Sequence, residues 1–171
     1  MGAPMQLLDQ YRGQKNVVQS AAFKWGETGH ILDRSRSGNN EYILSGLLVE
    51  VRVVKADAAM TAPAGKCITC TTASLGQIAT AITGSGEIAD GICDPDLSGD
   101  LAIGDTFLLF VKGPMNVIAS AAISANARLK TAAAGKVVTA TEMAPTSRGR
   151  IMVAASADGD IRRAMMDFTI P

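Results

Sequence analysis

Aromatic side chains are scarce in this chain of 171 residues: two Tyr, four Phe and one Trp. Neither sign of charge is in excess, since sixteen Lys and Arg stand against sixteen Asp and Glu. A protein built to bind nucleic acid carries a basic surface that displaces counterions from phosphates, so direct nucleic-acid binding is not expected. Long hydrophobic runs are missing too. The run "FLLFV" at 107–111 falls far below the roughly 20 residues of a membrane-spanning helix, and no membrane association is expected. The opening "MGAPMQLLDQ" lacks the charged-then-apolar layout of a signal peptide. Gln6 stands where N-myristoylation at Gly2 calls for Ser or Thr. These absences describe a soluble protein made in a reducing cytoplasm, long enough for one domain with a real core.

Cysteine is limited to three residues, an odd number that suits such a compartment better than a disulfide framework. Cys67 and Cys70 form "CITC", and with Cys93 and the only histidine, His30, a zinc site is arithmetically possible. The stretch "KCITCTT" reads as a strand, however, where a spacing of three sends the two thiols to opposite faces. No metal or cofactor is expected. Enzyme signatures are equally thin. His30 has no neighbouring Ser or Cys elbow. "APAGKCIT" has the Gly-Lys of a phosphate loop, but Met60 stands where the earlier Gly belongs. No catalytic residue is nominated, and the chain is expected not to be an enzyme.

What is present changes character near residue 42. Residues 1–42 show no sustained hydrophobic period, apart from a short helix expected around residues 5–11. They carry Tyr11, Phe23, Trp25 and Tyr42, interleaved with Arg12, Lys15, Lys24, Arg34 and Arg36. Large aromatics and Arg are the usual anchors of protein interfaces. This stretch is read as an N-terminal arm, with Tyr11, Phe23, Trp25 and Arg34 as candidate contacts to a partner or to neighbouring copies. Packing of the same aromatics on the domain's own core is the competing reading.

Residues 43–171 read as one β domain. "GLLVEVRVVK" places Leu47, Val49, Val51 and Val53 on one face and Glu50 and Arg52 on the other. "TFLLFV" is apolar on both faces, as a central or covered strand would be. "RRAMMDFTI" puts Ala164, Met166, Phe168 and Ile170 on one side. The Ala-rich stretch at 119–135 favours helix by propensity alone, but an internal repeat argues for strands. "GQIATA" at 76–81 matches "GKVVTA" at 135–140, and "GDTFLLFV" from Gly104 matches "GDIRRAMM" from Gly159. "GEIADGI" and "GRIMVAA" fall in roughly corresponding places between them. The expectation is a compact all-β fold, a sandwich or small barrel, with two related halves.

The repeat bears on one further motif. "DPDLSGDLAIGD" at 94–105 sets Asp94, Asp96, Ser98, Asp100 and Asp105 at the ligand spacing of a calcium loop, with Gly99 at its turn position. That spacing supports an alternative function, a calcium-dependent, adhesin-like β binding module. The second half keeps only the closing Gly-Asp, which turn chemistry explains better than a metal does.

"FVKGPMNVIASAAISANARLKTAAAGKVVTAT", followed by "GRIMVAASADGDIRRAMMDF", resembles the capsid decoration, or cement, proteins of tailed bacteriophages. Ile123, Leu129, Gly135, Lys136 and Val137 fill one family pattern, and Gly149, Ile151, Val153, Ala154 and Ala155 a second. Gly159, Asp160, Ile161 and Arg162 fill the closing element, while Asn126 replaces a usual glycine. The resemblance covers about residues 60–171. It implies a compact, β-tulip-like domain on the outer surface of the virion, bound where major capsid proteins meet and stabilising the expanded shell. The implied partners are the major capsid protein and further copies of the chain, in a homotrimer rather than a dimer.

Overall fold

The computed structural model describes residues 11–15, 28–37, 40–73, 76–81, 84, 86–141 and 147–169. Ten strands lie among them: β1 (Thr28–Ser37), β2 (Asn40–Ala56), β3 (Cys67–Ala73), β4 (Gly76–Ala81), β5 (Gly91–Cys93), β6 (Thr106–Ile118), β7 (Arg128–Thr131), β8 (Val137–Thr139), β9 (Gly149–Ile151) and β10 (Ile161–Asp167). The all-β expectation is met. The Ala-rich stretch after β6 forms only the short β7 and a single 3-10 turn at Ala133–Gly135, so sheet pairing overrides helix propensity there. Within residues 1–42, Thr28–Ser37 make β1 and pair antiparallel with β2.

Pairing shows the repeat directly. In the first module β2 pairs with β6, β6 with β5, β5 with β3, β3 with β4, and β4 returns in parallel to β2. In the second, β6 pairs with β10, β10 with β9, β9 with β7 and β7 with β8. A parallel bridge from Ala119 to Val137 completes the analogy. β6 therefore belongs to both modules: Thr106 to Phe110 lie against β2, and Lys112 to Ile118 lie against β10. In strand order the whole sheet is open, with β1 and β8 at its ends.

The connections repeat as closely as the strands. Ala56 N–H donates to Asp105 O at 2.8 Å, and Ala119 N–H to Asp160 O at 2.9 Å. Met60 bridges Leu101 as Ile123 bridges Ala155. Both Gly-Asp turns place their glycine in the left-handed region, φ 91° at Gly104 and 84° at Gly159, where a side chain would be strained. In each, the Asp carboxylate accepts from a backbone N–H three residues earlier, Ala102 at 2.8 Å and Ala157 at 3.3 Å. Asn126, where the resemblance led one to expect glycine, has φ 64°, and Gly65 in the matching turn has φ 72°. Asn is among the residues that tolerate this conformation.

The sequence matches need two adjustments. Ala56 pairs with Ala79 and Ala119 with Val137, so the repeat equates Ala79, not Ile78, with Val137. Likewise Gly91, the second glycine of "GEIADGI", is the counterpart of Gly149. An added Cβ at Gly91 would meet Phe110 O at 2.8 Å, and at Gly149 would meet Met165 O at 2.2 Å.

Two hydrophobic clusters account for the strand that is apolar on both faces. Phe107, Leu109 and Val111 point into one cluster with Val54, Met60 and Leu101. Leu108 and Phe110 point into the larger one with Val51, Ile92, Leu129 and Ile151. Alternating strand geometry dictates this division. Val49, Val51 and Val53 are buried together, but Leu47 is 48% exposed, three residues ahead of the start of the β2–β6 ladder at Glu50. Ala164, Met166 and Phe168 are buried as expected, while Ile170 lies outside the described residues.

Candidate docking surfaces

The cysteines separate as strand geometry requires. Cys67 lies in the larger cluster, whereas Cys93 and Cys70 belong to the smaller. Burial pushes the Cys67 thiol up to about 12 and raises Cys93 as well, and partial burial with the nearby Asp90 carboxylate pushes Cys70 up to about 12, so none of the three is held as a reactive thiolate.

The 94–105 loop engages polypeptide. Asp94 is fully buried at the turn after β5. One of its oxygens accepts the Asp96 N–H at 2.9 Å, and the other accepts the Gly13 N–H. The Arg12 guanidinium pairs with Asp96, and Lys15 Nζ donates to the Asp100 carbonyl. Asp100 accepts the Ala62 N–H at 2.9 Å, and Asp105 caps its own turn. Each of the four carboxylates thus has a protein partner. Among the described residues no group of three or more His, Cys, Asp or Glu is arranged to hold a metal ion. Burial raises the Asp94 carboxyl to about 6, against the hydrogen bonds from Gly13 and Asp96 that favour its charged form. Gly13 has φ 73°, and a Cβ there would meet Asp96 O at 2.9 Å, so the segment at 11–15 lies close on the turn.

The second module carries different chemistry at the matching place. Asp94 N–H donates to Leu108 O and Met152 N–H donates to Arg163 O, which equates Asp94 with Met152 and Pro95 with Val153. Thr106 and Ile161 correspond as the first residues after each Gly-Asp turn. Asp94 and Thr106 are 0% and 9% exposed, but Met152, Val153 and Ile161 are 49%, 55% and 60% exposed. The backbone beneath them is tightly held. Arg162 donates to Ala154 O at 2.8 Å, to Ile161 O at 2.9 Å and to Asp160 at 3.0 Å. Asp160 also accepts from the Ser156 N–H at 2.7 Å, and this bond leads the causes that hold its carboxyl below the usual range.

A cavity of about 510 Å³ lies where β1, β2, β6 and β10 run side by side. His30 pairs across the sheet with Glu50, Glu50 with Lys112, and Lys112 with Asp167. These four form a row of alternating charge capacity over four strands. His30 Nε2 lies 4.0 Å from Glu50, and Lys112 Nζ 3.0 Å from Asp167. The hydrogen bond that Lys112 donates to Asp167 chiefly raises the Lys112 ammonium. Burial raises Asp167, but hydrogen bonds from Thr169 and Lys112 outweigh it and leave the carboxyl below its usual range. Such cross-strand pairs stabilise a sheet by about 0.2–1 kcal/mol each. Leu47, Pro114 and Met165 complete an apolar lining.

Of the four interface candidates, Tyr11 is half-buried against the larger cluster. Arg34 lies in β1 opposite Ile43, just past a register shift. Phe23 and Trp25, and the expected helix apart from Tyr11, lie outside the described residues. The contacts missed in the sequence were Arg12, Gly13 and Lys15 on the acidic turn. Their signal was complementary charge between "YRGQK" and "DPDLSGD", 80 residues and more apart.

No family model matches the chain, and no curated protein does. Among solved structures, the fold is similar to the head fiber gp8.5 N base of bacteriophage phi29. The TM-score is 0.53 and the identity 16%, over 71% of this chain and 96% of that one.

Proposed function

We propose that the chain is a structural protein of a phage virion. It binds the outer surface of the head where major capsid proteins meet and stabilises the expanded shell without catalysing a reaction. The observation that carries this reading is the fold likeness to the base of a phage head fiber, which extends over nearly all of that base. The motifs at 123–137 and 149–162 point the same way through their resemblance to cement proteins. A net charge of zero suits close packing of many copies, since a strongly charged chain would repel itself. Self-association, as a trimer rather than a dimer, would multiply weak contacts through avidity.

The test is co-sedimentation of the purified chain with expanded, undecorated heads of the parent phage. Saturable binding at a fixed ratio to the major capsid protein is expected. A folded chain of native mass that leaves the heads bare would overturn the proposal.

A further inference from the structure

We infer that residues 11–15 are a charge-held strap, which opens as a unit while the sheet stays folded and uncovers an apolar flank of the first module.

The strap is fastened outside the sheet's ladders. Residues 11–15 form a turn, closed by the Gln14 N–H donating to Tyr11 O at 3.1 Å, and lie outside the described strands. The bonds that seat the turn run to a single loop. Gly13 N–H donates to the Asp94 carboxylate, Arg12 to the Asp96 carboxylate and Lys15 to the Asp100 carbonyl. The last two are side-chain bonds open to solvent, where water and salt compete for both partners. A segment held in this way can detach at less cost than the ladders beneath it, and local opening of proteins follows such boundaries. The seat still fits its occupant. Asp94 is fully buried, and the Gly13 N–H satisfies an oxygen that would otherwise need water.

Apolar surface lies under the strap. Arg12 closes a narrow gap lined by Ile31, Val49, Phe110 and Met115, and Tyr11 packs on the same cluster. Arg163 from β10 lines the gap as well. Burial first, and then the neighbouring Arg12, lower the Arg163 guanidinium to about 10. Closing the strap therefore brings two guanidiniums together, and the Asp96 carboxylate paired with Arg12 offsets their repulsion. The charge on Asp96 decides how firmly the strap is shut.

Amide hydrogen exchange followed by NMR on the full chain tests the inference. The amides of Leu109 and Phe110, where β5 and β6 pair, report global unfolding. In wild type the Gly13 amide should be protected, but roughly 10-fold or more below these core amides. Raising NaCl from about 0.05 M to about 0.5 M should lower Gly13 protection several-fold. Asp96→Asn at the lower salt should do the same, and in both cases the core amides keep their protection. A soluble nitroxide should broaden the Met115 methyl signal more in Asp96→Asn than in wild type. A Gly13 amide that exchanges only in step with the core would overturn the inference, because the segment would then leave only on unfolding. Protection indifferent to salt and to Asp96→Asn would overturn it by removing charge as the fastening. A Met115 methyl equally shielded in both proteins would overturn it too, since opening would uncover nothing. If Asp96→Asn fails to fold, Arg12→Gln replaces it under the same criteria.

Discussion

The two modules share a hydrogen-bond frame and differ in what they show to the outside. Asp94 in the first is buried beneath residues 12–13, while Met152 in the second is half exposed. Phe107 fills the smaller cluster, whereas the residue in its place, Arg162, clamps the turn above it. The lesson is that main-chain pairing fixes the module, and the side chains mounted on it are free to diverge. Gly-Asp turns, a left-handed residue before the third strand and a glycine facing a neighbouring carbonyl are what the frame demands. The remaining positions carry the differences.

That comparison is sharpest at Phe107 and Arg162. Truncating a buried Phe typically costs about 3–5 kcal/mol, so Phe107→Ala should lower the urea midpoint severely. Arg162→Ala should cost about 1 kcal/mol, the net value of the hydrogen bonds it loses. Equal losses in urea titrations would mean that the two positions are not differentiated as described.

Gly91 and Gly149 test the opposite property, the sameness of the frame. Gly91→Ala and Gly149→Ala should each destabilise by about 1–3 kcal/mol, because each new methyl presses on a backbone carbonyl. Thermal melts in which one variant behaves like wild type would break the equivalence.

A pH-dependent effect concerns Asp94, which has no acidic counterpart in the second module. Its folded pKa of about 6 lies above the ordinary carboxyl value of 3.8, so folding favours the protonated form. The stability it contributes is complete below the unfolded pKa and lost as pH rises through 6. Between pH 7 and pH 5 the wild type should therefore gain roughly 1 kcal/mol from this group. Asp94→Asn should flatten that gain in stability measured across the same window. A slope that survives the substitution assigns it to another group.

Much of the frame was legible in the sequence because turns carry specific residue types. Gly104-Asp105 and Gly159-Asp160 were matched correctly, and Asn126 betrayed its left-handed backbone. "FLLFV" declared a strand buried on both faces. The register of "GQIATA" against "GKVVTA" came out one residue wrong, since runs of Ala, Val and Thr fit each other equally well in two registers. Leu47 followed the alternation of β2 and was still exposed, ahead of a ladder start that alternation does not mark. The seating of residues 11–15 on the acidic turn, and the row from His30 to Asp167, depend on pairings between distant segments. Only the folded sheet brings those residues together.

The sharing of β6 has a mechanical consequence. A load applied to β10 reaches β2 through one continuous strand, not through a flexible linker. Antiparallel ladder bonds lie perpendicular to the strands, so tension along β6 shears many of them at once and does not open them in sequence. The two modules are thereby joined along a shared strand, so tension along β6 is borne by both at once.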